Sequence, residues 1–232
     1  MNLYNEDFYD LLFEVSNPNR HNILKLIEKE QKNLTNISNN TYLNLPETRR
    51  HVTRLSEVGL IQRVPDGSYI ITSLGQRVLE QLDTISFFLE NRDYFNKHSV
   101  ERLPHEFKIR LGDLSSSTFN EKTLGFLQKI EQIVTRANEK LCLIVDEIPY
   151  LLIPSIIDAI SRGVEIRLIT KDMKNINPET EKILYSSLTK HSTTENIDIL
   201  IVFSNQIAAV AFPTLEGEID YSGFISKDIW TL

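Results

Sequence analysis

The sequence predicts two domains, an α+β N-terminal domain of helices followed by a β-hairpin and a C-terminal α/β sandwich. The first prediction rests on residues 46–58, whose amphipathic helix pattern is ended by a glycine and followed by two short strand patterns. The second rests on residues 141–170, where an uninterrupted apolar run, a helical pattern and an alternating strand pattern follow one another. That order is typical of a βαβ unit with parallel strands. A length of 232 residues accommodates both domains.

Composition and charge limit the class of protein. The net charge is −7, but residues 1–19 carry −4 and residues 20–77 carry +4. A locally basic module on an acidic body can bind phosphate while the body resists nonspecific adhesion. No apolar run approaches the roughly 20 residues that cross a membrane, and the acidic N-terminus does not resemble a signal peptide, so we expect a cytoplasmic protein. The single cysteine, Cys142, excludes a disulfide framework, and we expect it to be a buried small hydrophobe.

The helix pattern from Pro46 to Val58 is the most informative stretch of the chain. Proline is favoured in the first turn of a helix, and Gly59 ends the pattern. One face of this helix is arginine-rich, and the guanidinium group of arginine can bridge guanine edges or phosphate oxygens. The opposite, core-facing side holds Thr48, Val52, Leu55 and Val58. A helix, a glycine and a hairpin in this order are the layout of a winged helix-turn-helix, so this helix is predicted to enter the major groove of DNA.

Other patterns complete the first domain. An amphipathic helix is predicted at residues 5–15, and a second helix begins at residue 18 or 19. Residues 34–38 offer capping residues for a short third helix that ends at about residue 43. Strands are predicted at residues 60–64 and 69–71 around a Pro-Asp-Gly-Ser turn, and Thr72 is predicted to cap a long helix. The apolar positions of that helix are spaced close to a heptad, so they form a dimer contact or pack on their own domain. They are Leu74, Val78, Leu82, Ile85 and Leu89.

Residues 18–75 resemble the winged helix of ArsR- and MarR-type regulators of prokaryotes, especially archaea, through the segment Thr48–Ile61. The resemblance implies that exposed side chains of this helix and of the hairpin turn, the wing, contact DNA. The implied residues are Glu47, Arg49, Arg50, His51, Thr53, Arg54, Arg63 and Ser68. His51 either belongs to that surface or packs at the domain edge, and Asp66 departs from the basic residue that is usual at a wing tip. Cysteine or histidine pairs at metal-binding spacing are absent, so no metal is expected.

The arginine face has an alternative interpretation, because winged helices also mediate protein contacts. The runner-up hypothesis is therefore a winged-helix interaction module in an assembly without DNA.

The second domain is predicted from its strand and helix patterns. Helices are expected at residues 119–137, 149–162 and 178–190, and strands at residues 141–145 and 164–170. Two more apolar runs, 197–202 and 207–212, predict a hairpin, so three or four strands are recognisable. Residues 91–98 are polar with interspersed aromatics and are interpreted as a hinge.

Residues 100–232 resemble the middle domain of archaeal methanogenesis-type regulators, the FilR family. The resemblance rests on residues 103–114, on residues 159–169, and on a closing segment that runs from Phe212 to Phe224 and includes Trp230. It implies a fold similar to phospholipase D-like and TrmB effector domains. It also implies a transcription factor in which this domain senses a small molecule or serves in dimerisation.

Catalysis is not expected, because the residues that enzymes of similar fold require are missing. Phospholipase D chemistry needs a His-x-Lys pair with histidine as the nucleophile, and neither His98 nor His191 has the lysine. No P-loop glycine pattern is present, and no cofactor is expected. Strand ends in α/β sheets nevertheless form ligand sites. An effector pocket there would use Arg110, Asp146, Glu147, Thr170 and Lys171; the alternative is that the acids are solvent-exposed or cap a helix.

The sequence therefore predicts a homodimeric, sequence-specific transcriptional regulator. Residues 1–95 would form the DNA-binding domain, with a linker and dimerisation helix at about 73–95, and residues 100–232 the effector-binding domain. The expected partners are double-stranded DNA, a second copy of the chain and a small-molecule effector.

Overall fold

The computed structural model describes residues 6–171, 176–188, 190–194, 197, 199–204 and 207–227. The chain divides into two compact units, Met1–Asp83 and Thr84–Leu232. The aromatic side chains of Phe87, Tyr94 and Phe95, which follow this boundary, pack into the second unit.

The first unit begins with four helices, each set by local sequence signals. They are α1 (Glu6–Val15), α2 (Pro18–Lys29), α3 (Leu34–Thr41) and α4 (Leu45–Glu57). An asparagine precedes each of the last three, and its side chain accepts a hydrogen bond from a backbone N–H of the first turn. Those N–H groups have no partner within the helix, so the caps fix where each helix starts.

A two-stranded antiparallel hairpin follows α4, with β1 (Ile61–Arg63) paired to β2 (Tyr69–Ile71). Gly59 and Gly67 have positive φ angles of 74° and 85°, which glycine adopts without steric cost. The helix α5 (Ser73–Glu90) comes next. The Thr72 hydroxyl donates to Gly59 O at 2.7 Å and accepts from Gly75 N at 3.0 Å. Thr72 therefore joins the end of the α4 segment to the start of α5.

The core of the first unit forms between the helices and the hairpin. Fully buried side chains come from every one of these layers: Ile23, Leu24, Ile37, Leu55, Leu60 and Leu79. Val78 and Leu82 pack against this core, whereas Leu74 is exposed. Helices and hairpin together form the α+β winged helix that the sequence predicts.

The second unit contains a mixed sheet of seven strands among the described residues. The strands are β3 (Thr118–Asn120), β4 (Lys140–Val145), β5 (Glu165–Thr170), β6 (Lys190–Thr193), β7 (Leu200–Ser204), β8 (Ala208–Ala211) and β9 (Gly223–Ser226). Their spatial order is β3-β9-β8-β7-β4-β5-β6. The β4–β5 and β5–β6 pairs are parallel and the others antiparallel. The predicted parallel unit is confirmed, and the sheet has more strands than the three or four recognised in the sequence.

Three larger helices cover one face of this sheet. The helices described in the second unit are α6 (Arg92–Phe95), α7 (His105–Lys108), α8 (Thr123–Arg136), α9 (Ile153–Ser161) and α10 (Pro178–Ser187). Side chains of α8, α9 and α10 pack against alternate residues of the central strands, such as Leu141, Leu143 and Val202. Because successive strand residues point to opposite faces, the residues between them face the other side.

An aromatic cluster occupies part of that other face. Phe87, Tyr94 and Phe95 pack with Phe212 and Phe224, which belong to the far end of the chain. The Tyr94 hydroxyl accepts from Phe212 N at 2.9 Å and its ring stacks on His98 at 3.7 Å. The expectation of a hinge at residues 91–98 is therefore wrong for the aromatic residues of this segment, because Tyr94 is buried and Phe95 packs against the same cluster.

Further expectations need correction. The predicted helix 178–190 ends at Ser187, because residues 190–193 pair with β5. The predicted helix 119–137 starts four residues later, because residues 118–120 pair with β9. Cys142 is half-buried rather than buried, because it lies on the sheet face that the three larger helices do not cover. Trp230, part of the closing segment that carries the resemblance, lies outside the described residues.

Candidate nucleic-acid interface

The helix α4 is held by one face and leaves the other exposed. Asn44 Oδ1 accepts from Glu47 N at 2.9 Å, and Pro46 lies in the first turn. The buried face consists of Thr48, His51, Val52 and Leu55. The helix is thus anchored at its start and along its length, so the orientation of its exposed side is fixed.

The exposed side carries most of the residues that the resemblance implies. Arg49, Arg50, Thr53 and Arg54 are exposed, and Glu47 is half-buried at the helix start. The side chains of Arg49 and Arg50 form no ion pair or hydrogen bond with any residue that the structure describes. Two full positive charges therefore stand uncompensated on one face.

Arg54 differs from its neighbours because it has an acidic partner. Its Nη1 lies 3.1 Å from Oε1 of Glu14 in α1, and its side chain remains 49% exposed. Glu14 also lies 2.9 Å from Nε of Arg20, and both of these side chains are buried. The Arg20 guanidinium further donates to the carbonyls of Phe13 and Glu14. Arg54 is therefore partly neutralised and its position is fixed by α1.

His51 does not lie on the exposed face. Its side chain is only 6% exposed, so it packs at the domain edge rather than on the surface to which the resemblance assigned it. Burial lowers its pKa, and the positive charges of Arg20 and Arg50 lower it further. Nδ1 of His51 has no hydrogen-bond partner among the described residues. The imidazole is therefore neutral in the folded unit at pH 7.

The acidic residue at the tip of the wing has a structural role in the turn. Asp66 Oδ1 accepts from Ser68 N at 2.8 Å, and Val64 N donates to Ser68 O at 2.9 Å, which closes the turn. Arg63 is exposed on β1, and its guanidinium lies over Gly67. Ser68 is half-buried. Asp66 thus shapes the turn, and Arg63 supplies the charge of the wing.

Sequence reasoning missed Tyr42, which lies just before α4. Its side chain is 97% exposed and its backbone is left-handed, with φ of 58°. The signal available in the sequence was its place between a polar helix and the asparagine that caps α4. An exposed aromatic ring at the turn of a helix-turn-helix is a further candidate contact.

The structure brings four of the five predicted effector residues together. The Asp146 carbonyl accepts from the Thr170 hydroxyl at 3.0 Å and from Lys171 N at 3.1 Å, at the carboxyl ends of β4 and β5. Glu147 N donates to Asp146 Oδ1 at 2.9 Å. Burial raises the pKa of the nearby Tyr221 to about 12, with contributions from the charges of both acids. The Asp146 carboxylate thus serves the backbone turn after β4.

Arg110, the fifth residue, has a different setting. Its Nε lies 2.9 Å from Oδ2 of Asp113. It lines a groove with Cys142 and Ile144 on the sheet face opposite the three larger helices. Thr170 is buried, whereas Lys171 and Glu147 are exposed.

Neither a metal site nor a membrane-spanning helix is found in the part of the chain that the structure describes. No three histidine, cysteine, aspartate or glutamate side chains there are grouped so as to hold a metal ion. No helix there combines the length and apolar character that a membrane crossing requires.

Comparisons with known proteins agree with the fold of the first unit. Residues 20–89 match the family model described as winged helix-turn-helix. A search of curated proteins finds no match.

Solved structures with similarity to the chain include TrmBL2, described as an archaeal chromatin protein with a novel mode of DNA binding. It is 14% identical, with 94% of this chain and 86% of that chain covered and a TM-score of 0.40. NucT from Helicobacter pylori is 12% identical over 50% of this chain and 87% of its own, with a TM-score of 0.39. The phospholipase D family member Nuc from Salmonella typhimurium is 10% identical over 43% and 72%, with a TM-score of 0.32.

Proposed function

We propose that the protein is a sequence-specific transcriptional regulator that binds double-stranded DNA through α4. The observation that carries the proposal is the pair Arg49 and Arg50, exposed and without an ionic partner among the described residues. Uncompensated arginine charge on one rigid helix face suits the phosphates and guanine edges of duplex DNA.

The proposed contacts divide into two kinds. Phosphate contacts orient a protein on the duplex, and contacts to base edges specify the sequence. Arg49, Arg50 and Thr53 are the proposed base-reading residues, because they project from the middle of α4. Arg63 and Ser68 of the wing, together with Arg54, are the proposed contacts to the DNA backbone.

We further propose that the protein acts as a homodimer. The helix α5 leaves Leu74, Ile85 and Leu89 exposed, and α1 leaves Tyr9, Leu12 and Phe13 exposed. Exposed apolar side chains of this number favour burial against another chain. A twofold dimer would present two α4 helices to related half-sites. Sedimentation velocity should give a dimer for the natural chain and a monomer for Ile85→Glu. The matched change Gln81→Glu, also at an exposed α5 position, should leave the dimer intact.

The decisive experiment is fluorescence anisotropy with the gene's own upstream region and with scrambled duplex, across a salt series. Tight binding that prefers the upstream region and weakens steeply with salt is expected, because released counterions favour binding at low salt. Binding that is weak and indifferent to both sequence and salt would contradict the proposal.

The second candidate function is a protein-interaction module without DNA. The exposed Tyr9, Leu12 and Phe13 on α1 favour it, because apolar side chains on a surface mark contacts with other proteins. In that case the anisotropy would change little on any duplex.

A further inference from the structure

The second unit has a groove on the sheet face that also carries the aromatic cluster. Ile144 of β4 stands opposite Ile201 of β7, which stands opposite Val210 of β8. On the other side, Ile144 is paired with Ile169 of β5, which is 38% exposed. A continuous apolar row therefore crosses four adjacent strands, and Cys142 and Phe203 form a second pair beside it.

The wall that faces this row comes from residues 103–114. This segment carries part of the resemblance of the second domain, and it has no role in the proposed DNA binding. Six residues of this segment line the groove: Leu103, Pro104, Phe107, Arg110, Leu111 and Leu114. Leu111 and Leu114 are buried, whereas Phe107 is exposed. The backbone of this wall approaches α5 closely at Gly112, because a Cβ there would lie only 2.9 Å from the Thr84 Cα. The wall is thus held against the rest of the unit while part of it stays open.

The size and lining of the groove are those of a small-molecule site. Its volume is about 530 Å³, within the roughly 300–1,000 Å³ that ligand pockets occupy. Among the described residues that line it, Arg110 alone is charged, and the others are apolar apart from the Cys142 thiol. Nε of Arg110 lies 2.9 Å from Oδ2 of Asp113, and this ion pair restrains the Arg110 side chain at the border of the groove. A cation beside an otherwise apolar surface is complementary to a molecule with an apolar body and one anionic end.

We propose that this groove binds an apolar organic anion, such as a fatty or aryl carboxylate, with its carboxylate at Arg110 and its apolar body over Cys142, Ile144 and Ile201. This assigns a ligand class to the effector domain expected from the sequence, and its regulatory meaning rests on the proposed DNA-binding function. Binding itself is measured without DNA, so a failure of the ligand site and a failure of DNA binding are separate results.

Cys142 provides a direct readout, because it is the single cysteine of the chain and lies within the groove. The full-length protein is treated with a chromogenic disulfide reagent while decanoate or its neutral analogue decanol is titrated. Burial raises the pKa of the Cys142 thiol, so the unprotected reaction is slow but measurable. Decanoate should slow it at least about tenfold in a saturable manner, below its micellar concentration.

Charge recognition is tested with Arg110→Gln and the control Arg136→Gln, an exposed residue of α8. Arg110→Gln should weaken decanoate binding about tenfold by calorimetry and leave decanol unchanged, whereas Arg136→Gln should change neither. Absence of saturable protection, protection only by micelles, or tighter binding of decanol than decanoate would each overturn the proposal. If Arg110→Gln does not fold, protection of Cys142 in the natural chain, with decanoate compared to decanol, still decides it.

Discussion

The carboxylate of Glu14 in α1 lies 3.1 Å from Arg54 Nη1 in α4, although forty positions separate the two residues in sequence. The same carboxylate lies 2.9 Å from Arg20 Nε, and Arg20 and Glu14 are both buried. The negative charge of Glu14 therefore links α1 to α2 and α4. Its partner in α4, Arg54, belongs to the proposed DNA-binding face. Stability of the first unit and the charge available to DNA are determined in part by the same contact.

The first prediction concerns this cluster. Glu14→Gln should destabilise the first unit by about 3–5 kcal/mol, because it leaves the buried Arg20 without its acid. Arg54→Ala should cost no more than about 1 kcal/mol, because Arg54 is half-exposed. Urea unfolding followed by circular dichroism measures both. The control Glu80→Gln removes an exposed ion pair with Arg77 and should change stability by less than about 0.5 kcal/mol. Equal losses of unfolding free energy for Glu14→Gln and Glu80→Gln would show that the buried ion pair stabilises the unit no more than the exposed one.

The second prediction concerns base readout. Arg49→Ala should weaken binding to the preferred duplex by about 1–3 kcal/mol if the guanidinium reads a guanine. Arg49→Lys keeps the charge but loses the planar fork, so it should lose sequence preference while retaining much of the binding to scrambled duplex. Anisotropy on both duplexes gives the comparison, with Arg77→Ala on α5 as the control. An equal loss on the two duplexes would assign Arg49 to phosphate contact.

The third prediction concerns pH. Burial and the charges of Arg20 and Arg50 hold the pKa of His51 below its usual value. The unfolded chain takes up a proton at this histidine near pH 6.5, whereas the folded unit does so only at lower pH. Below about pH 6.5 the unfolded state therefore binds more protons, and this part of the stability declines as the pH falls. Thermal melts between pH 7.5 and 5.5 should show a smaller decline for His51→Gln. Parallel profiles for the two proteins would refute the assignment.

The fourth prediction uses two glycines as a matched pair. A Cβ at Gly75 would lie 2.1 Å from the Leu60 carbonyl oxygen, so Gly75→Ala should strongly destabilise the first unit. A Cβ at Gly125 in α8 would meet nothing closer than 4.0 Å, so Gly125→Ala should stabilise the second unit by about 0.5–1 kcal/mol. Unfolding curves of the full chain resolve the two effects. Stabilisation by Gly75→Ala would mean that the hairpin can move away from α5.

Local signals account for the elements that could be predicted from sequence. Asn44 and Pro46 start α4, Gly59 ends its segment, and Asp66 with Gly67 closes the wing turn, so the predicted and observed bounds nearly coincide. The apolar run of β4 is likewise long enough to be recognised by itself.

Elements that depend on distant partners could not be predicted. The strand β6 reads Lys-His-Ser-Thr and has no apolar alternation, so pairing with β5 alone defines it. Tyr94 and Phe95 look like a polar hinge in sequence because Phe212 and Phe224, which bury them, lie more than a hundred residues away. The same distance hides the groove, whose wall and floor come from separate parts of the chain.

The exposed face of α4 has an evolutionary consequence. Arg49, Arg50 and Thr53 project from a helix that is held by Val52 and Leu55 on its other side. Substitutions at such surface positions usually change stability by less than about 0.5 kcal/mol. Descendants of this chain can therefore explore new binding preferences through a few codons, while the fold they inherit stays under separate selection.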